Sequence, residues 1–137
     1  MSAAELPSDP LVILATAPDD AVAKRLARQL VEERHAACVG CLPGLRSVYR
    51  WEGEVEEAAE VQLVIKTVRA RLPGLRAAYQ AAHPYEVPEL LVLPVADGGA
   101  AYLRWLEDAT RPGSAAGAAA RRQLARAPAC FGARRAR

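Results

Sequence analysis

Two cysteines, Cys38 and Cys41, have the two-residue separation that redox-active and zinc-binding pairs use. A reactive pair of this kind usually lies at the N-terminus of a helix, which lowers the pKa of one thiol. Here the pair follows a predicted helix and opens a predicted strand, where positions three apart point to opposite faces. We therefore expect two small buried side chains, with a metal or redox role as the alternative.

Two histidines and a run of carboxylates are the other candidate metal ligands. His83 ends a predicted helix, where the dipole favours a cation and where imidazole is also a common metal ligand. His35 ends an earlier predicted helix, and we expect a cap or surface role there. A hard cation could bind the carboxylates, but such a run is more typical of the wet face of a hairpin. These carboxylates are Glu54, Glu56, Glu57 and Glu60.

Signatures of catalysis are missing from the sequence. It has no glycine-rich phosphate loop and no local Ser/His/Asp or Cys/His grouping. We therefore expect a protein that is not an enzyme and that needs no obligatory cofactor.

The first half of the chain predicts a strand, a helix and a long hairpin. Residues 11–15 are continuously apolar, which predicts a central strand buried on both faces. A helix should start after Pro18 and end near His35. Residues 37–51 predict a strand that Pro43-Gly44 bends or bulges, and residues 54–68 alternate with period two. The turn between these strands contains Gly53, where a positive φ is expected.

The second half predicts a helix, a short strand and a last helix. Residues 72–82 form the helix, with Pro73 tolerated in its first turn. Pro88 and Pro94 bound an apolar strand at residues 89–94, which places it at a sheet edge. Residues 101–110 form the last helix.

This order predicts the fold class. A β-α-β-β-α-β arrangement with a C-terminal helix is an α+β, ferredoxin-like domain with a four-stranded antiparallel sheet. Right-handed crossovers place the first two helices on one face and leave the other face uncovered. The strand at residues 54–68 is apolar on one face along nearly its whole length. Self-association would bury such a surface.

Composition bounds the class of protein. The chain has 137 residues, with 52% apolar and 25% charged, which is ordinary for one globular domain. No apolar stretch reaches the length of a membrane helix, and residues 1–10 lack the basic start and apolar run of a signal peptide. Three cysteines argue against a disulfide-built secreted domain. We expect a cytoplasmic protein without a membrane partner.

The charge divides the chain into parts. All 16 acidic residues lie within residues 1–110 with 11 basic ones, whereas residues 111–137 hold seven Arg and no acid. The net charge of +2 therefore combines −5 and +7. We expect a flexible segment at 1–10, a folded domain at 11–110 and a disordered basic tail at 111–137. The tail lacks interleaved aromatic residues, so we expect no nucleic-acid partner.

Several segments together resemble a known family. They are Thr16-Ala17-Pro18-Asp19, Ala37-Cys38, Leu42-Pro43-Gly44, Tyr49-Arg50-Trp51-Glu52-Gly53, Ile65-Lys66-Thr67, His83-Pro84-Tyr85-Glu86-Val87-Pro88-Glu89 and Tyr102-Leu103-Arg104-Trp105-Leu106. In order and at compatible spacing, from about Leu11 to Asp108, they resemble the CutA divalent-cation-tolerance proteins.

The resemblance implies a tight homotrimer, similar in architecture to the PII signalling proteins, that is linked to tolerance of copper and other divalent metals. The copper ligands proposed for a bacterial relative correspond here to Ala15, Ala82 and His83, so only His83 is retained. Cys38 matches another cysteine often seen in the family. The predicted topology separates Cys38 from His83 within one chain, so a shared metal would require them to meet across subunits. We therefore hypothesise that any copper binding is weak and lies between subunits, through His83 with Cys38 as a second ligand.

Two other functions stay open at this point. One is a PII-like trimer for signalling or small-ligand binding, in which an intersubunit cleft is lined by Lys66, Tyr85, Glu86, Glu89 and Trp51. The other is a structural trimeric scaffold that binds no small ligand.

Overall fold

The computed structural model describes Leu6 and residues 8–113, so the segments at 1–5 and 114–137, including most of the basic tail, lie outside it. The elements are β1 (Pro10–Ala17), α1 (Asp20–Glu32), β2 (Cys38–Trp51), β3 (Glu54–Val68), a 3-10 turn (Arg69–Arg71), α2 (Leu72–Ala82), β4 (Leu90–Pro94) and α3 (Ala100–Thr110). The strands pair in the order β2-β3-β1-β4, and every pair is antiparallel. The predicted ferredoxin-like α+β fold is confirmed.

Helix α1 begins and ends through local hydrogen bonds. The Val22 N–H donates to Asp19 Oδ1 at 2.9 Å, which satisfies one unpaired donor of the first turn. At the other end Arg34 has φ 62°, and the His35 N–H donates to the Leu30 carbonyl at 2.9 Å. This is the geometry of a Schellman motif, with Arg34 where glycine is more common. The helix therefore ends at Glu32, earlier than the predicted end near His35.

The core lies between the sheet and the layer formed by α1 and α2. Alternate residues of β1 and β3 point into this layer because side chains alternate along a strand. The strand residues of the core are Leu11, Ile13, Ala15, Ala17, Val61, Leu63 and Ile65. The helix residues that cover them include Ala23, Leu26, Leu30, Leu75 and Tyr79. The apolar side of β3 is thus covered within one chain over its second half, so the surface that the sequence assigned to self-association is limited to the first half, where Val55 is exposed.

The opposite face of the sheet, which we call the open face, is only partly covered. Helix α3 packs on one end of it, where Trp105 and Leu106 bury Val68. This corrects the expectation of a wholly uncovered face, because the C-terminal helix returns across the sheet. Beyond α3 the face stays accessible, and Val12 and Leu14 of β1 are only half-buried. The central strand is therefore fully buried on one face and not on both.

The β2–β3 hairpin extends past the helices. Both central residues of its turn have positive φ, 50° at Glu52 and 83° at Gly53, which is the pattern of a type I′ turn. Val48 and Val55 face the helix side but are exposed, because neither helix reaches them. The hairpin therefore projects from the domain as a ribbon.

The turn predicts that substitutions at two adjacent positions change the free energy of unfolding in opposite directions. Gly53→Ala places a Cβ in the left-handed region and should lower the free energy of unfolding by about 1–2 kcal/mol. Glu52→Asn should raise it by a smaller amount, because Asn-Gly is the preferred pair in this turn. Urea denaturation of both variants beside the parent protein measures the two changes. Equal signs for the two variants would contradict the assigned turn.

Candidate functional site

A bulge in β2 brings the aromatic residues of the hairpin to the open face. Leu42 pairs with Gln62 and Leu45 pairs with Glu60, so β2 has one extra residue between these two pairs. An extra residue reverses the face to which every later side chain points. Gly44 accommodates the bulge with φ 86°. From Leu45 onward the odd-numbered residues of β2 therefore face outward with Glu56 and Glu60 of β3.

A buried cluster fixes the loop that follows α2 against the end of β1. The hydroxyl of Tyr79 donates to the Glu89 carbonyl at 2.6 Å, and it lies 3.5 Å from the Thr16 carbonyl. Burial raises the pKa of Tyr79, so its hydroxyl remains a donor. The ring of His83 packs edge-on against Tyr79, with 5.1 Å between centroids. These contacts place the loop beside the hairpin.

His83 is buried, and both of its ring nitrogens are used. Nδ1 accepts from the Tyr85 N–H at 3.0 Å, so the proton lies on Nε2, which donates to the Thr16 carbonyl at 2.8 Å. A metal ion needs the lone pair that Nδ1 already gives to Tyr85. The structure thus assigns His83 a positioning role in place of the helix-end cation considered from the sequence.

Between the hairpin and this loop lies a groove of about 700 Å³. It is lined by Thr16, Ser47, Val48, Tyr49, Trp51, Glu56, Glu60, Pro84, Tyr85, Glu86, Val87 and Glu89. Three aromatic side chains and four carboxylates thus converge, and no Lys or Arg is among the lining residues. We call this cavity the acidic groove.

Within the described part of the chain, no cationic side chain pairs with the carboxylates of the acidic groove. Glu60 accepts a hydrogen bond from the Tyr85 hydroxyl at 3.4 Å. Partial burial, followed by the charge of Glu60, raises the pKa of Tyr85, which keeps this hydroxyl protonated. None of the four groove carboxylates has an ion pair with another described residue. The groove thus presents uncompensated negative charge beside aromatic faces.

Four of the five cleft residues predicted from the sequence meet in this groove, and one does not. Trp51, Tyr85, Glu86 and Glu89 line it together. Gln62 of β3 pairs with the groove residue Thr16, and Lys66 lies four residues further along β3, about 13 Å away. The Lys66 ammonium lies 5.8 Å from the centroid of the Tyr102 ring of α3. Within one chain Lys66 therefore contributes no positive charge to the groove.

The two cysteines lie on opposite faces of β2. Cys38 pairs with Lys66 on the open face and is half-buried against α3. Cys41 points toward α1, where its Sγ lies 4.0 Å from the Ala23 carbonyl, and it is exposed. The opposite orientations confirm the strand argument. The expected burial of both is wrong for Cys41, because β2 is an edge strand and α1 covers it incompletely.

The candidate metal ligands are not brought together. Among residues 8–113 and Leu6, no group of three or more His, Cys, Asp or Glu side chains could hold a metal ion. The ring of His83 contacts Thr16 of β1. Cys38 pairs with Lys66 of β3, which pairs in turn with Val12 of β1. Val12 and Thr16 are four residues apart, so His83 and Cys38 contact the sheet at positions about 13 Å apart along β1. His35 lies elsewhere, 3.4 Å from Glu33 at the end of α1.

Eight of the twelve lining residues were not predicted from the sequence to form a cleft, and four of them show why. Tyr49 lies two residues before Trp51, so period two after the bulge could have placed both on one face. Glu56 and Glu60 were predicted to lie on the solvent-exposed face of the hairpin. They line the groove on β3, where Glu56 pairs with Tyr49. Thr16 had no local signal, because its carbonyl meets His83 across 67 positions of sequence.

Fold and groove together define a ferredoxin-like domain with a projecting hairpin and a ligand-sized cavity beside that hairpin. A family model described as "CutA1 divalent ion tolerance protein" matches residues 11–109. The chain therefore belongs to the CutA1 divalent ion tolerance family.

Individual relatives agree with this assignment. The divalent-cation tolerance protein CutA of Pectobacterium atrosepticum is 52% identical over 103 residues, which cover 75% of this chain and 94% of the relative. The solved structure of the protein from Thermus thermophilus superposes with a TM-score of 0.73 at 48% identity, covering 74% of this chain and 99% of that one. A structure from Archaeoglobus fulgidus, described as periplasmic, has a TM-score of 0.72 at 31% identity and the same coverage. All three names describe tolerance of divalent cations.

The environment of Cys41 yields a second prediction. Partial burial raises the pKa of its thiol, Asp20 raises it further and Lys24 lowers it. Because the thiolate is the reactive form, alkylation by iodoacetamide should reach half its maximal rate at a pH above the ordinary thiol value. The measurement uses a variant in which Cys38 and the third cysteine of the chain, Cys130 in the basic tail, are replaced by serine.

Two charge variants control the cause of that shift. Asp20→Asn should move the midpoint down and Lys24→Gln should move it up. A midpoint at or below that of an unperturbed thiol would contradict the assigned environment and would restore a redox role for Cys41.

Proposed function

We propose that this protein acts as a homotrimer in tolerance of divalent cations and catalyses no reaction. The observation that carries the proposal is the apolar part of the open face that α3 leaves accessible. Leu91 and Leu93 of β4 are 58% and 46% exposed, and Leu42 of β2 is also exposed. Exposed apolar surface of this kind marks an interaction site.

The position of these leucines favours self-association. Leu91 pairs with Leu14 and Leu93 pairs with Val12, so the exposed leucines continue the half-buried row of β1. A symmetric assembly buries the same surface on every copy with one set of contacts. Membership of the CutA1 family supports three copies, because the family resemblance implies a trimer of PII-like architecture.

Copper, or another divalent cation, is proposed to bind weakly and between subunits. His83 must first give up the Tyr85 N–H, which costs about 1–3 kcal/mol for a buried group that loses its partner. Cys38 of a neighbouring copy is the second proposed ligand, because the two residues lie apart within one chain. The two changes from the ligand set of the bacterial relative, Ala15 and Ala82, further limit the affinity.

A second candidate function, binding of a small ligand in the acidic groove, is favoured by the volume of the groove. The lining charges select against nucleotides and small anions, because four carboxylates would repel them. An organic cation fits better, since aromatic faces attract cations.

The compartment is proposed to be the cytoplasm. Cys38 and Cys41 form no disulfide with each other, which is compatible with a reducing environment. In the part of the chain that the structure covers, no helix has the length and hydropathy to span a membrane.

The trimer yields a third prediction. Leu91→Glu places a charge in the proposed interface and should weaken self-association by about 3 kcal/mol or more per site, because a desolvated charge has no partner there. Val31→Glu is the matched control: Val31 is also an exposed apolar residue, but it lies on α1 away from the open face. Sedimentation velocity at one protein concentration should show dissociation for the first variant alone. Equal sedimentation of both variants and the parent would refute this interface.

The copper proposal yields a fourth prediction. Titration with Cu(I) and with Cu(II) should show weaker binding in His83→Ala by at least about tenfold, the loss that even an outer partner of a metal ligand can cause. Cys38→Ala should also weaken binding. His35→Ala is the control and should bind as the parent does. Unchanged affinity in both the His83 and Cys38 variants would rule out the site.

A further inference from the structure

The acidic groove has the chemistry of a site for guanidinium groups. Arg side chains stack on aromatic faces and pair with carboxylates, and a guanidinium is more weakly hydrated than an ammonium. Tyr49, Trp51 and Tyr85 supply the aromatic faces, and the four carboxylates stand beside them. Trp51 is 44% exposed, so its ring is available to a ligand.

The chain itself carries the complementary groups outside the described residues. Six arginines and no acidic residue lie within residues 114–137, at positions 121, 122, 126, 134, 135 and 137. The remainder of the chain is acidic overall, and the groove carboxylates are part of that excess. The family match ends at residue 109, so this basic segment is additional to the family domain.

The segment starts at the far end of the molecule from the groove, but it is long enough to reach it. The Arg111 carbonyl accepts from Arg34 Nη1 at 3.4 Å, which places the end of α3 near the C-terminus of α1. The groove contains Thr16, close to the N-terminus of α1, and a helix of this length spans about 20 Å. A chain of 24 residues spans about 27 Å as a random coil and about 80 Å when extended.

We propose that the arginine-rich segment 114–137 binds in the acidic groove of the same or a neighbouring copy. Its guanidinium groups lie over Trp51 and the groove tyrosines and form ion pairs with the carboxylates. The segment thereby occupies the cavity that a small organic cation would otherwise enter. This binding depends on charge and weakens as salt concentration rises. It does not require the proposed trimer.

Tryptophan fluorescence of the full chain tests the proposal. The chain has two tryptophans, and Trp105 of α3 is buried against the sheet, so acrylamide quenching reports chiefly on Trp51. Replacing the six arginines of residues 114–137 by glutamine should remove the protection of Trp51 and raise the quenching constant. High salt should raise the constant of the parent protein to that of the glutamine variant.

Matched variants assign the effect to the groove. Glu56→Gln should reproduce the loss of protection, whereas Glu57→Gln should not, because Glu57 lies on the opposite face of the hairpin. In Trp51→Phe the difference between the arginine and glutamine forms should vanish. Equal quenching of the parent and the glutamine variant would overturn the proposal and would leave a second copy or a small ligand as the occupant. An equal effect of Glu56→Gln and Glu57→Gln would overturn it as well.

Discussion

A single sheet has two faces, and in this protein α1 and α2 bury only one of them. Helix α3 packs on one end of the second face through Trp105 and Leu106. The leucines of β4 beyond it stay in contact with water, although Leu91 and Leu93 continue an apolar row. The incomplete cover of this face is the constraint from which the proposed assembly follows, because burial of apolar surface is the main driving force for association.

The bulge at Pro43-Gly44 connects that constraint to ligand binding. Because one extra residue reverses the alternation of β2, Tyr49 and Trp51 lie on the same face as the exposed leucines. The proposed assembly surface and the acidic groove therefore lie on the same side of the sheet. The buried His83 sets the other wall of the groove by holding Tyr85 in place through its backbone. A side chain that the sequence suggested as a metal ligand thus also helps to shape the acidic groove.

Periodicity and turn chemistry were sufficient to predict the elements themselves. The bounds of β3 and α2, the hairpin turn and the edge position of β4 follow from local residue types, and the structure has them where expected. Contacts between distant segments could not be predicted in this way. No local pattern indicates that α3 packs on the open face and brings the Tyr102 ring over the Lys66 ammonium. Nor does any local pattern indicate the hydrogen bond between His83 and the Thr16 carbonyl. The membership of the groove depends on contacts between distant segments, so the sequence identified four of its twelve lining residues but neither its charge nor its boundaries.

The molar mass of the unmodified chain in solution tests the central claim most directly. Light scattering in ordinary buffer at micromolar concentration should give three times the 14.7 kDa of one chain, because three copies then cover the leucines that one copy leaves wet. A mass of 14.7 kDa that persists as the protein is concentrated would contradict the account. The open face would then be stable in water without a partner, and the proposed metal site between subunits would have no structural basis.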